Sequence, residues 1–378
     1  MGEWSLTVFG EVAQRHVDIT SPADIPPHTP YIGLEHIEPN ALRVSAWGTA
    51  GDTVSPKLRF DHGDVIYGKL RPYFRKVCRP RQSGVCTTEA WVLRPRRGVD
   101  PHYLFYLAAL PAFSTYATSS SDGTRMPRAQ WDHVASYPVL LPPLSEQRAI
   151  AEVLGALDDK IEANHRLAAL CDSTWHAIAA SELEGELVPL SSLARFVNGG
   201  AYTKGASGTG RVVIRTPELT SGPTGSTIYS DRDVPADQLA RPGDLLFVWS
   251  GSLAVHRWFR TEAIINQHVF KVIPEAGVPV WLVHDRILGL LPEFISIAAD
   301  KATTMGHIQR HHLDTPVLRP SADKLAVLDD ACAPLWKRAL TAERESLALT
   351  QLRDSLLPKL VSGELRVLRA EVLVEDAV

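Results

Sequence analysis

Hydrophobic positions along this chain follow two alternating patterns. In residues 1–142 and 188–319 the apolar residues come in short runs closed by Gly, Pro or Asp: GDVIYGKL at 63–70, TTEAWVLRP at 87–95, PGDLLFVWS at 242–250 and NQHVFKVIP at 266–274. Such runs, bounded by turn formers, predict strands. In residues 143–187 and 320–365 the spacing changes. Positions 154, 157, 161, 164, 168, 171, 175 and 178 are Leu, Leu, Ile, Asn, Ala, Cys, Trp and Ile, an unbroken alternation of three and four. Positions 325, 328, 332, 335, 339, 342, 346 and 349 repeat it with Leu, Leu, Cys, Leu, Ala, Ala, Ser and Leu. This spacing marks a coiled-coil seam.

The seams predict helices over 145–183 and 321–360, each at most roughly 60 Å long. Leu154, Leu157 and Ile161 on the first helix, and Leu328, Leu335 and Leu349 on the second, are the apolar contacts. Asn164 is the polar exception, a residue that fixes register at some cost in stability. Ser145 is the expected N-cap after Pro142-Pro143, with Glu146 in the first turn. Two seams separated by a globular stretch most simply pack on each other antiparallel. The alternative is that each helix packs on its own globular unit.

The two halves also resemble each other. RFDHGDVIYGKL at 59–70 corresponds to LARPGDLLFVWS at 239–250, and CTTEAWVLRP at 86–95 to INQHVFKVIP at 265–274, a period of about 179 residues. GEL closes both helical stretches, at 185–187 and 363–365, and VPLSSLARFV after the first resembles WSLTVFGEV at the start. The expected fold is mixed α+β. Its parts are a globular domain at 1–142, a helix at 143–187, a second globular domain at 188–319, a second helix at 320–365 and a tail at 366–378. The arrangement is a circular, pseudo-twofold repeat with the two ends close together.

Composition fits a soluble globular protein, with 45% hydrophobic and 22% charged residues. No apolar run reaches the roughly 18 residues that span a bilayer. The first residues carry no secretory pattern, and Cys78, Cys86, Cys171 and Cys332 are scattered without a CxxC. A cytoplasmic protein with free thiols and no membrane contact is expected. Net charge is −4. It is unevenly spread: residues 143–187 hold 3 basic and 9 acidic groups, whereas residues 57–97 hold 11 basic and 3 acidic. The basic stretch can attract phosphate although the whole chain is acidic. The acidic helix exterior suits a protein partner better than DNA.

YGKLRPYFRKVCRPR at 67–81 interleaves cations with aromatics, so Lys69, Arg71, Tyr73, Arg75 and Lys76 are candidates for DNA contact. The alternative is a solvated basic loop whose aromatics belong to the core. The aligned stretch of the second half supplies Ser250, His256 and Arg257. Thr88 and Glu89 align with Gln267 and His268, short polar groups on a loop that could read base edges. Arg125 and Arg128 in the first half, and Gln309 and Arg310 in the second, complete the candidates.

No catalytic constellation and no metal site is expected. GxxxxGK[ST], GxSxG and the Asp/Asn-Pro-Pro-Tyr/Phe segment of amino-methyltransferases do not occur. FVNGGAYTKGASGTG at 196–210 reads as a flexible surface loop, and His307, His311 and His312 have no acidic or Cys residues completing a metal site.

PLSEQRAIAEVLGALDDKIEANHRL at 143–167 resembles the helical region of specificity subunits of type I restriction–modification systems, where P-[LP]-x-E-Q-x-x-I precedes L-x-x-L-D-x-x-I. GDVIYGKLRPY, TTEAWVLRP and LLPKLVSGEL are similar to other blocks of that family. The resemblance covers nearly the whole chain. It implies two target-recognition domains, each reading one half of a bipartite double-stranded DNA site, and an antiparallel coiled coil setting the gap. It also implies two modification (methyltransferase) subunits docked on the coiled coil, and restriction subunits joining them. By this resemblance the chain is non-catalytic and takes no cofactor; S-adenosylmethionine belongs to the modification subunit. The second repeat departs from the pattern, with LRPSADKLAVLDD in place of the E-Q-x-x-I block and no KLRPY. A stand-alone methyltransferase or nuclease with degenerate motifs, and a coiled-coil scaffold that binds no DNA, are the competing readings.

Overall fold

The computed structural model describes residues 3–119, 126–181, 184–300 and 306–375. It separates into two units, Met1–Asp159 with Leu349–Val378, and Lys160–Ala348. Each contains a globular α+β region and parts of two long helices.

In the first unit the apolar run VIYG forms the strand Val65–Gly68, buried along its whole length. It lies inside an antiparallel sheet ordered Ala13–His16, Ala90–Pro95, Val65–Gly68, Val77–Cys78. Trp91 pairs with Tyr67 and Val92 with Ile66. On one face, Ile66 and Val92 pack against Leu58, Phe60 and Cys86 from a second sheet. That sheet has five strands, ordered Ile19–Thr20, Lys57–Phe60, Gly84–Thr87, Pro30–Ile32, Gly48–Thr49. On the other face Tyr67 stacks on Trp91 at 5.8 Å and meets Phe113 edge-on at 5.4 Å. Phe113 comes from the helix Pro111–Ser119. A separate two-stranded ribbon joins Ser5–Val8 to Pro138–Leu141.

The second unit repeats this plan. Its ribbon joins Glu186–Pro189 to Pro316–Arg319. Its antiparallel sheet runs Ala194–Asn198, Val269–Pro274, Leu245–Val248, Ala254–Arg257, the same order as in the first unit. The companion sheet again has one parallel pair, Arg211–Ile214 with Ala263–Ile265, matching Pro30–Ile32 with Gly84–Thr87. Ser5–Val8 and Glu186–Pro189 stand 181 residues apart, Pro138–Leu141 and Pro316–Arg319 178 apart. The block similarity read from sequence is therefore a repeat of topology.

The long helices are Leu144–Ser181 and Ala322–Val361, of 38 and 40 residues. The seam expected from spacing is the buried stripe: Leu154, Leu157, Ile161, Asn164, Ala168, Cys171 and Trp175 on the first, and Leu325, Cys332, Ala339, Ala342, Ser346 and Leu349 on the second. Leu328 and Leu335 are partly buried. In the second unit Ala168 and Cys171 cluster with Ala339 and Ala342, and Lys160 pairs with Glu345 at 3.2 Å. Rising numbers on one helix meet falling numbers on the other, so the pair is antiparallel. Asn164 and Ser346 are the buried polar members of the two stripes.

The helices also pack on the globular regions, so the two sequence-level alternatives both hold. In the first unit Arg353 occupies the seam position after Leu349. Its guanidinium is bound by Asp158 at 2.8 Å and Asp354 at 2.9 Å, and the Tyr106 hydroxyl donates to Asp158 at 2.7 Å. In the second unit Trp175 meets Trp336 edge-on at 5.7 Å and Trp281 at 6.4 Å. With the repeat offset of 178, Asp158 corresponds to Trp336 and Trp175 to Arg353. One crossing is ionic and its counterpart aromatic.

Two local expectations change. The first helix starts at Leu144 rather than after a Ser145 cap, and the Glu146 and Gln147 N–H groups donate to the Pro143 carbonyl. The Glu146 carboxylate instead accepts from the Trp4 indole at 2.9 Å and pairs with Arg366 at 3.1 Å, bringing both ends of the chain to one group. Gln147 is buried and bonds the Asp100 N–H and the Pro142 and Gly98 carbonyls. The corresponding Leu325 packs in an apolar cluster, which explains the departure at that position. The segment read as a tail contains a helix, Val367–Glu375. No helix of the described residues is long and apolar enough to cross a membrane.

Removing one partner of a buried ion pair strands the other. Asp158→Ala leaves Arg353 with Asp354 alone and the Tyr106 hydroxyl without its acceptor. It should cost about 2–5 kcal/mol in urea unfolding of the first unit. Arg353→Met should cost far less.

His284 packs against both the Trp175 and Trp336 rings, at 5.4 and 5.2 Å. Burial, reinforced by His176 and Arg257, pushes its pKa down to about 3. The unfolded chain takes up this proton below about pH 6.5. The contribution of neutral His284 is therefore complete above that pH and declines as pH falls towards 3. Urea midpoints of the second unit should drop between pH 6.5 and 5, with a shallower drop in His284→Gln.

Candidate nucleic-acid interface

The candidates of the first unit converge where the strand Val65–Gly68 ends. The Lys69 N–H donates to the Glu89 carbonyl (3.0 Å), the Ala129 N–H to the Lys69 carbonyl (2.9 Å), and the Arg71 N–H to the Pro127 carbonyl (2.7 Å). These bonds tie the strand end to the turn carrying Thr88 and Glu89, which passes from one sheet to the other, and to the segment carrying Arg128. Glu89 then takes Arg128 in a two-point pair, 2.8 Å to Nε and 3.1 Å to Nη2. Those bonds hold the Glu89 carboxyl below the usual carboxylate range, aided by Lys69. Thr88 and Arg128 are exposed, and Lys69 and Glu89 half-buried. Arg125 lies outside the described residues.

The stretch after Leu70 is less available than its composition suggests. Arg71 and Arg75 both adopt left-handed backbone, φ 51° and 46°, bracketing the turn Pro72–Phe74. Side chains other than glycine resist this conformation, so the flanking structure must impose it. Arg75 is buried, with Nη2 3.3 Å from the Asn40 carbonyl and 3.9 Å from Asp354. Burial lowers its pKa against the pull of Asp354. Lys76 donates to the Leu34 carbonyl, and Arg81 pairs with Asp159. Half of the six cations in 67–81 thus have partners within the unit. Between the two arginines Tyr73 and Phe74 stand exposed, 4.7 Å apart.

The second unit has the same main-chain frame. The Trp249 N–H donates to the His268 carbonyl (3.3 Å), the Ile308 N–H to the Trp249 carbonyl (3.1 Å), and the Gly251 N–H to the Gly306 carbonyl (2.9 Å). Ser250 bridges to His307 as Leu70 does to Arg128. The side chains differ. Trp249 lies 5.9 Å from the His268 ring and 6.1 Å, edge-on, from that of His307, and its indole N–H donates to Asn198 Oδ1 at 3.0 Å. Gln267 is exposed, its amide 3.2 Å from His268 Nε2.

Two candidates of this unit lie elsewhere. His256 and Arg257 belong to the strand Ala254–Arg257. Burial lowers the His256 pKa. Arg257 is buried, gripped by Asp172 (3.1 Å) and Glu343 (2.8 Å) and lying 4.5 Å over the Trp336 ring. Its charge serves the helix pair and is not open to a phosphate. Gln309 and Arg310 begin the turn Arg310–Asp314, exposed beyond His307, with Arg310 donating to the Phe196 carbonyl at 2.6 Å.

Sequence reading missed Trp249 and Asn198. The repeat offset that aligns Lys69 with Trp249 carried the signal, but a tryptophan ending a strand reads as core.

Residues 29–170 match a family model described as Type I restriction modification DNA specificity domain. The chain is 31% identical over 191 residues to the type I restriction enzyme EcoDI specificity subunit of Escherichia coli, covering 49% of this chain and 42% of that protein. The match therefore spans less than half of that relative's length. Identity to the type I restriction enzyme MjaIX specificity subunit of Methanocaldococcus jannaschii is 21% over 312 residues, covering 72% of this chain and 71% of that one. A solved type I restriction-modification system S subunit from M. genitalium shares the fold, with a TM-score of 0.54 at 12% identity, covering 95% of this chain and 96% of that one.

Arg75→Ala should act on stability, because it removes a buried side chain that bonds the Asn40 carbonyl and pairs with Asp354; about 1–3 kcal/mol should be lost in urea unfolding. Tyr73→Ala, at an exposed tip, should leave the unfolding midpoint within about 0.5 kcal/mol of wild type.

Proposed function

We propose that this chain, a member of the type I restriction–modification specificity-subunit family, reads a bipartite site in double-stranded DNA, one half with each globular unit. The helix pair sets the gap between the halves, and methyltransferase and restriction subunits are directed to the site by docking on the chain. The observation that carries this reading is duplication with substitution. One topology and one pattern of main-chain hydrogen bonds occur twice, with Lys69, Glu89 and Arg128 on the first frame and Trp249, His268 and His307 on the second. A scaffold has no use for polar groups that differ on matching exposed frames. Two readers of unlike sequences need such differences.

The chain itself is non-catalytic in this reading. Methyl transfer, with its S-adenosylmethionine, and cleavage belong to the partner subunits. The groups that face DNA are Lys69, Arg71, Tyr73, Thr88, Glu89 and Arg128 in the first unit. In the second they are Trp249, Gln267, His268, His307, Gln309 and Arg310.

Purified chain should bind duplex DNA with an affinity that falls linearly in log–log form as salt rises, and Arg128→Ala should lower that slope by about 1 if the group meets phosphate. Methylation mapping of cells with and without the chain should show one two-part motif that depends on it. Salt-independent binding together with an unchanged methylation map would exclude the proposal.

A further inference from the structure

The three side chains on each frame form a compact group, and the two groups differ in chemistry. Both take one residue from the end of a sheet strand, one from the short turn that passes between the two sheets and one from the segment ahead of the closing ribbon strand. Exposure also matches: Lys69 and Trp249 are half-buried, Glu89 and His268 half-buried, and Arg128 and His307 exposed. Equal backbone placement with unequal side chains is what a reading head with interchangeable contents requires.

We infer that these triads, Lys69–Glu89–Arg128 and Trp249–His268–His307, determine which bases each half of the site contains. The inference rests on the DNA-reading proposal above. The first triad faces a ligand mainly as a donor. Glu89 occupies Nε and Nη2 of Arg128, fixing the guanidinium plane and leaving Nη1 to address acceptors, with the Lys69 charge acting on the same Glu89. Two adjacent acceptors, O6 and N7, are the major-groove mark of guanine. The second triad carries no permanent charge. His268 has its Nδ1 buried and its Nε2 against the Gln267 amide, and the Trp249 indole N–H is taken by Asn198, so this set meets a ligand mainly through the apolar indole ring and the exposed His307. An apolar ring suits the methyl group of thymine. The first half is therefore assigned a G·C requirement and the second an A·T requirement, and the first half should account for most of the salt dependence.

The test uses the chain purified from its own cells with its bound subunits, and a duplex pool randomised in both half-sites. Bound duplexes are sequenced for wild type and for two grafts. One graft is Lys69→Trp with Glu89→His and Arg128→His, and the other is Trp249→Lys with His268→Glu and His307→Arg. Each graft should change base preference about tenfold or more at one or two positions of one half only, leaving the other half and the gap as in wild type. Should a graft fail to fold by circular dichroism, Arg128→Lys and His307→Gln replace it, each expected to weaken preference about tenfold at one position. Folded variants with wild-type preference in both halves would overturn the assignment while leaving the DNA-reading proposal standing. A wild-type complex that selects no sequence would overturn both.

Discussion

The constraint on which the rest depends is the need to cover two apolar seams that the adjoining globular regions cover only in part. Each long helix buries a stripe at alternating spacings of three and four, and a whole globular region separates the two helices in sequence. A stripe of that length exposed to water would be costly. Each unit therefore recruits helix segments from distant parts of the chain. Residues up to Asp159 need those from Leu349 onward, and the second unit spans Lys160–Ala348. Topology follows from this demand: both globular regions open with a strand that pairs to the segment leading into a helix.

Repetition of the frame leaves its contents free to vary. Where the first unit buries Arg353 against Asp158, the second packs Trp175 on Trp336. Where the first brings Arg128 to Glu89, the second sets His307 near Trp249. Main-chain hydrogen bonds and strand order are the invariant part, since they satisfy the same backbone groups whatever side chains they carry. Both differences are thus substitutions within one scaffold, one in the interior and one on an exposed edge.

Much of this was legible in the sequence. The seam positions were readable because burial along a helix is periodic and the period survives substitutions as diverse as Leu, Ala, Cys and Trp. The strands around Val65 and Val92 were readable from apolar runs stopped by Gly and Pro. Charged groups were harder. Arg257 and Arg75 look alike in sequence to any exposed cation, yet their partners Glu343 and Asp354 lie 86 and 279 residues away. A local charge count sees the cation and misses its partner, so the basic stretch at 57–97 promised more free charge than the fold leaves. Trp249 failed for the opposite reason: an indole reads as core by default, and only its main-chain equivalence to Lys69 places it on the candidate face.

The two helix crossings also differ in how they respond to heat. Withdrawing the Arg353 and Asp158 charges from water costs less as temperature rises, because the ordering of water around ions is entropically unfavourable. The apolar contact of Trp175 with Trp336 gains little over the same range, since hydrophobic stabilisation per unit area levels off. Warming thus shifts the balance of strength between the two crossings towards the ionic one, so two halves built on a single plan have unlike temperature dependences.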